Sequence, residues 1–354
     1  MSSQLENKAS FQASFFGNFW KQTCFSVPPI PADIDLVGKT ALVTGSNTGL
    51  GLACARHFLK LRPHLLVMAV RSVQKGEAAA AGLRTEFPRA MIEIWELDME
   101  SNRSIQAFAA RCERELDRLH VAVLNAGVGK MKFERVEEGG RREKTIQVNY
   151  LGTALLALLL LPKMRSSSST DPLGPGRLSI ITSDAALGTK IDCADQTNLL
   201  DSLDRPEGFD GFTQYSRSKL LITMFCARLA EAVDPDDIIV NCCNPGPVKS
   251  TDFLSNVDSW VIKAVFGFLH AIMGRTVIDG ARIYVHSALV LGQESHGSFT
   301  DWTIRAWPVT MYSVLGRHIS GKLWSETVEE LRFARVDELL EDMKEEGAVA
   351  LGKK

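Results

Sequence analysis

Thr40-Ala41-Leu42-Val43 runs without a break into Thr44-Gly45-Ser46-Asn47-Thr48-Gly49-Leu50-Gly51, and residues 50–61 then take up a helical pattern. The apolar, β-branched run reads as a buried strand, and the glycine-punctuated stretch as the turn from strand into helix. Glycine reaches backbone torsions closed to other residues and lets the main chain come close to a ligand. The helix that follows offers unpaired N–H groups and the positive end of its dipole. Strand, turn and helix together make a cradle for the pyrophosphate of a dinucleotide. Gly45, Ser46, Asn47, Thr48, Gly49, Leu50 and Gly51 are its candidate residues. Alone, three glycines could be no more than a tight turn. Their place in the chain decides.

The chain around this stretch alternates. Residues 40–43, 65–69, 91–97, 121–124, 178–181 and 238–242 read as strands with few polar residues inside, as strands covered on both faces should be. Helical stretches lie between them at 50–61, 73–87, 101–116, 142–161 and 213–233. Such alternation predicts an α/β fold, a Rossmann-type doubly wound parallel sheet around one core. The expected organisation is an N-terminal extension over 1–37, one domain over 38–345 and a tail over 346–354. Three segments interrupt the order. Residues 166–176 are rich in Ser, Pro and Gly and read as a surface loop, and 185–212 is longer than a plain connection. Residues 251–273, with Phe253, Trp260, Phe266 and Phe268, read as an apolar cover over the substrate.

Composition narrows the function classes. Of 354 residues, 45% are hydrophobic and 23% charged, which fits a globular protein and not a disordered or fibrous one. A net charge of −2 without a lysine/arginine block argues against nucleic acid or anionic membrane as a partner. The seven cysteines, Cys24, Cys54, Cys112, Cys193, Cys226, Cys242 and Cys243, form no paired ligand group, so no metal site is expected. They read as reduced core residues, with Cys242 and Cys243 on opposite faces of one strand. No secretory signal is evident at the N-terminus. Residues 151–161 read as too short to span a bilayer and hence as a buried helix. A cytoplasmic protein is the expectation.

Residues 44–51, TGSNTGLG, have the TGxxxGxG form of the short-chain dehydrogenase/reductase family, and other motifs follow in that family's order. Asn125-Ala126-Gly127 closes the fourth strand, and Asn149 sits in Val148-Asn149-Tyr150 on the next helix. Ser183 ends the fifth strand, Tyr215 and Lys219 form YSRSK, and Pro245-Gly246 follows the sixth strand. The chain resembles that family over about 35–248. The resemblance implies a catalytic set of Ser183, Tyr215, Lys219 and Asn149. Ser183 would hold a substrate oxygen, Tyr215 would exchange its proton, and Asn149 would hold a water that relays protons to Lys219. It also implies that Asn125, Ala126, Gly127, Tyr215, Lys219, Pro245, Gly246 and Val248 line the cofactor. The physical reading agrees on one point. Tyr215 and Lys219 are four apart on a helix, so they share a face, and an ammonium beside a phenol should lower the phenol pKa.

The cofactor follows from the end of the second strand. A carboxylate there would favour NAD, but Met68-Ala69-Val70-Arg71-Ser72 has none. Arg71 can pair with a 2′-phosphate, so NADP(H) is expected, and the family resemblance implies Asp98 at the adenine edge. The long spacing from Ser183 to Tyr215, together with Arg71, resembles the retinol-dehydrogenase-like and protochlorophyllide-reductase-like branch. The FFGNFW lead, HGSF near Gly297 and the region of Leu323-Trp324 resemble its fungal members, many of them in secondary-metabolite pathways. Where many relatives place a histidine, this chain has Asp184-Ala185-Ala186, which implies a changed pocket wall.

Phe11, Phe15, Phe16, Phe19 and Trp20 recur at helical spacing. Packing onto the domain is the favoured reading, and a membrane-surface anchor the other. The surplus apolar residues Leu220, Leu221, Met224, Phe225, Ile283, Val285, Leu289 and Val290 point to a homodimer. The function expected is NADPH-dependent interconversion of a carbonyl and a secondary alcohol on a small, lipophilic or polyketide-like substrate. The alternative is an NADP-binding protein of the same fold with a non-redox role in cyclisation, isomerisation or cofactor sensing.

Overall fold

The structure is a computed structural model that describes residues 1–137, 142–165, 173–191, 198–249 and 274–351. Six strands stand where the sequence places them: β1 Thr40–Thr44, β2 Leu65–Val70, β3 Ile92–Glu96, β4 Val121–Leu124, β5 Gly176–Ile181 and β6 Ile238–Cys243. All pair in parallel, in the order β3-β2-β1-β4-β5-β6. Thr44 lies beside Ala69, and Val43 beside Val123. The strand order reverses between β1 and β4, and the crevice outside their carboxyl ends is where sheets of this kind bind ligands.

Two strands escaped the sequence reading. β7 Phe299–Thr300 extends the parallel sheet beside β6, and β8 Ile304–Arg305 returns antiparallel to it. Two residues are too few to show any period.

Helices cover both faces. Caps set several of their starts: Ser72 for α4 (Val73–Glu86), Ser101 for α5 (Asn102–Glu115), Asp210 for α7 (Gly211–Ala232) and Thr276 for α8 (Val277–Val285). Each cap side chain accepts a hydrogen bond from a first-turn amide. One core lies under α3 (Gly49–Lys60) and α8, the other under α5, α6 (Lys144–Met164) and α7. Cys242 belongs to one core and Cys243 to the other, as alternation along a strand requires.

Helix α6 corrects the length argument made for residues 151–161. That run belongs to a 21-residue helix long and apolar enough to cross a membrane, and 89% of its apolar window is buried inside the protein. Burial, not shortness, makes it a core helix.

The case for pairing through α7 also loses its ground. Leu220, Leu221, Met224 and Phe225 are all buried within one chain. Helix α9 (Val314–Glu330) packs against α7, with Trp324 stacked on Phe225 at 5.6 Å. Ile283 and Val285 are buried as well, and Leu289 and Val290 half-buried.

The N-terminal residues form α1 (Glu6–Ala13) and α2 (Phe15–Cys24). They do pack on the domain, through the small residues Ala9 and Ala13 and through polar groups rather than through the aromatic face. Ser2 is fully buried, its hydroxyl donating to the Arg305 carbonyl at 2.5 Å and its amide to Ser298 Oγ at 3.1 Å. Gln12 Oε1 accepts from Arg305 Nε and from the Ala306 amide. The aromatic face looks outward instead: Phe15 and Phe16 are 65% and 67% exposed. Phe11, Phe16, Trp20 and Phe25 touch one another edge-on. The expected aromatic packing onto the domain is therefore overturned. The predicted cover over 251–273 lies outside the described residues, as do 166–172 of the surface loop and Cys193.

Candidate active site

At the mouth of the crevice Gly45 turns with φ +63°, its N–H donating to the Ala69 carbonyl at 2.8 Å. A Cβ on Gly51 would stand 2.4 Å from the Gly45 carbonyl oxygen, so the first turn of α3 fits against the loop only as glycine. Gly49, with φ +54°, faces open space. Thr48 holds the N-cap position without bonding a first-turn amide, which leaves those N–H groups available. The buried Ser46 hydroxyl has no hydrogen-bond partner among the described residues. Asn47 and Leu50 are half-buried beside it. An open glycine, free amides and an orphan hydroxyl fit an anionic pyrophosphate.

Asn125 braces this loop from β4. Its Nδ2 donates to the carbonyls of Thr44 and Gly45 at 2.9 and 3.3 Å, and the Ala126 amide donates to Thr44 Oγ1 at 2.9 Å. The Tyr284 hydroxyl on α8 completes the clasp by donating to Asn125 Oδ1 at 3.0 Å. The sequence gives no signal for that residue.

Gly127 carries the chain toward the deeper groups. A Cβ there would lie 3.1 Å from Asn149 Oδ1 and 3.5 Å from Lys219 Nζ, so the three meet at one point. Asn149 exchanges two hydrogen bonds with the backbone of Val128, both 2.8 Å, and donates to Ser218 Oγ at 3.0 Å. It sits in Gln147–Gly152, where α6 widens into π-helical turns, a distortion common at functional sites. Lys219 Nζ donates to the Ile181 carbonyl at 3.0 Å.

Ser183 stands close enough to Tyr215 for its side chain to act on the phenol, while its Oγ accepts from the Ala185 amide at 3.3 Å. The expected lowering of the Tyr215 pKa is overturned. Lys219 Nζ lies 5.7 Å from the ring centroid, and enclosure of the phenol pushes its pKa up. The Ser183 side chain opposes that rise and the Asp184 charge adds to it. Burial pushes Lys219 down to about 8. Lys219 is buried and Tyr215 half-buried, so each shifts toward its neutral form.

After β6, Asn244 Oδ1 accepts from the Gly246 amide at 3.0 Å, in a turn where Gly246 has φ +71°. Its Nδ2 donates to Asp184 Oδ1 at 2.5 Å, linking the Pro245-Gly246 turn to the residue after Ser183. Asp184 Oδ2 is buried without a partner among the described residues, and burial raises the pKa of that carboxyl. Pro245 and Val248 are buried, and Val248 makes a β-bridge to Arg275.

Arg71 stands just past β2, its side chain 69% exposed. The sequence shows no acid there, but the fold brings one: Glu100 accepts from Arg71 at 2.9 Å and pairs with Lys144 at 3.1 Å. Asp98, after β3, accepts from the Glu100 amide at 3.0 Å.

Residues 39–187 match the family described as short chain dehydrogenase. The chain is 43% identical to a short chain dehydrogenase of Hypocrea virens, over 97% of this chain and 99% of that one. It is 41% identical to a short chain dehydrogenase/reductase of Annulohypoxylon moriforme, over 94% and 95%. Among solved structures, L-sorbose reductase from Gluconobacter frateurii, complexed with NADPH and L-sorbose, superposes with a TM-score of 0.54. It is 24% identical, over 77% of this chain and 98% of that one. On the strength of its fungal relatives, the chain belongs to the short-chain dehydrogenase/reductase family, a Rossmann-fold oxidoreductase.

Proposed function

We propose that the protein uses NADPH to interconvert a carbonyl and a secondary alcohol on a small, lipophilic or polyketide-like substrate. The observation that carries this reading is the convergence of four side chains: Lys219 Nζ 5.7 Å from the Tyr215 ring, Asn149 beside Lys219, and Ser183 close enough to act on the phenol. A bound nicotinamide supplies or accepts the hydride. Ser183 and Tyr215 hold the substrate oxygen between them. Tyr215, kept protonated by its enclosure, donates its proton to that oxygen in the reductive direction. The Lys219 ammonium then stabilises the phenolate left behind, and Asn149 orders the path by which the proton is replaced.

Residues 45–51 would cradle the pyrophosphate, Asn125-Ala126-Gly127 would line the path inward, and Pro245, Gly246 and Val248 would face the nicotinamide end. Arg71 supports NADPH over NADH. It can swing from Glu100 to a 2′-phosphate while Lys144 keeps the carboxylate paired. The relative solved with NADPH agrees with that choice. Asp98 is assigned to the adenine edge. The test is a panel of ketones incubated with NADPH, followed by the absorbance of the reduced nicotinamide. Consumption that depends on a ketone supports the reading. Tight NADPH binding with no turnover on any ketone, and none of the matching alcohols with NADP, would refute it.

A further inference from the structure

Helix α2 sits at the carboxyl end of the sheet, the side on which the crevice opens. Gln22 lies directly on the turn after β6: a Cβ on Gly246 would come within 2.1 Å of Gln22 Nε2. Gln22 Oε1 is buried with no hydrogen-bond partner among the described residues. The neighbouring Lys21 pairs with Asp301, which is buried and also takes Arg305 Nη1 at 2.9 Å.

These contacts close a ring. Asp301 follows Thr300, whose carbonyl accepts from the Asn244 amide at 2.9 Å. Asn244 Oδ1 in turn accepts from Gly246, on which Gln22 rests. Arg275 supplies a second strap. Its Nη1 donates to the Phe25 carbonyl at 2.9 Å and its Nη2 to the Lys21 carbonyl at 3.2 Å. Its own backbone brackets the loop, with Arg275 N–H to Pro247 O and Lys249 N–H to Arg275 O, both 2.9 Å. The turn over 244–249 is thus gripped by a helix more than two hundred residues away in sequence. Through Asn244 and Asp184 the grip reaches Ser183.

We propose that the N-terminal extension is a working part of the active site: Lys21 and Gln22 are positioning residues that set the Pro245–Val248 turn for the nicotinamide end of the cofactor. A glycine turn with few contacts of its own samples several arrangements, and a small misplacement of a bound reactant lowers affinity and rate together. The inference rests on the cofactor assignment proposed above.

The test compares the full-length chain with Lys21→Met, Lys21→Arg and Gln22→Ala, titrating each with NADPH by quenching of tryptophan fluorescence and recording its thermal midpoint. Lys21→Met and Gln22→Ala should weaken NADPH roughly tenfold, and Lys21→Arg should recover most of that loss. Gln22 is half-buried and outside the ion cluster, so its variant should melt close to the wild type. The double variant should lose less than the sum of the single losses, because both act on one turn. Wild-type affinity in Gln22→Ala, with lost melting temperature as the sole effect of Lys21→Met, would overturn the inference and leave α2 as cover. A wild type that binds neither NADPH nor NADH would overturn this inference and the cofactor assignment together. A wild type that binds NADPH but reduces no ketone leaves the positioning role standing and removes the redox reading.

Discussion

The two rims of the crevice are built by different means. On the β1–β4 rim the contacts are local backbone demands: Gly45 with φ +63°, Gly51 against the Gly45 carbonyl, and Asn125 reaching one strand across. On the β6–β7 rim the contacts are side chains from distant segments, with Lys21 on Asp301, Gln22 on Gly246 and Arg275 on the end of α2. The first rim could hardly be made from other residues. The second could be assembled in many ways, and its chemistry is set by what happens to pack there. One rim is shaped by backbone demands, and the other carries what is particular to this chain.

The largest effect should come from the group between the rims. Tyr215→Phe removes the hydroxyl that would donate the proton under the proposed reaction, so turnover should fall by about a hundredfold or more. Cofactor affinity should hold, because the ring remains. Near-normal single-turnover hydride transfer in this variant would move the acid elsewhere. On the first rim, Gly51→Ala places a methyl 2.4 Å from a backbone oxygen that cannot swing away. Overpacking of this kind costs about 1–3 kcal/mol, and a matching drop in denaturant midpoint should appear alongside weaker binding of NADPH and NADH alike. An unchanged midpoint would show that α3 can slide away from the loop.

Arg71→Ala should act on one cofactor only. Losing a charge-assisted contact to the 2′-phosphate costs roughly 1.5–3 kcal/mol, so NADPH should weaken about tenfold or more while NADH stays nearly level. Equal losses would mean that Arg71 serves the fold through Glu100. The pH profile is next in size. Lys219 is pushed down to about 8, so its ammonium is present below that pH and lost above it. Tyr215 is raised and keeps its proton across the same range. Ketone reduction should therefore be level through neutral pH and decline above about 8, by at most tenfold per unit. Lys21 is also pushed to about 8, by burial, so the profile is best run in Lys21→Arg, which takes that lysine out of the range. A flat profile to pH about 10 in that variant would remove Lys219 from the proton path.

The contrast between the rims also explains what could be read in the sequence. Six strands and the glycine loop were legible because apolar periodicity and φ > 0 leave marks on residue type. Tyr215 and Lys219 were placed correctly on one helix face, yet the direction of the Tyr215 shift was not. A pair four apart says nothing of how deeply both are enclosed, and enclosure dominates. Glu100 escaped because it follows β3 and meets Arg71 only once the strands are aligned. Asp184 was noticed as a departure, but its bond to Asn244 depends on two loops from different strands. Lys21 and Gln22 had no motif at all, and the aromatic residues beside them drew attention to the wrong face of α2.

That face yields the smallest effect and the sharpest reading of how the extension is held. Phe16 is 67% exposed and touches Phe11 edge-on, so Phe16→Ser removes little buried surface. Its stability change should stay within about 0.5 kcal/mol, as for ordinary surface substitutions. Gln12→Ala, four residues earlier, should cost more although it removes a polar side chain. Its Oε1 accepts from Arg305 Nε at 2.9 Å and from the Ala306 amide at 3.0 Å, and both donors lie in buried residues. Leaving such donors unsatisfied costs about 1–3 kcal/mol. Polar docking thus predicts the reverse of the usual order, in which losing a phenylalanine outweighs losing a glutamine. Thermal melting of the two variants measures it directly. If Phe16→Ser melts as low as Gln12→Ala, the aromatic face is covered in solution and the extension is held by both its sides.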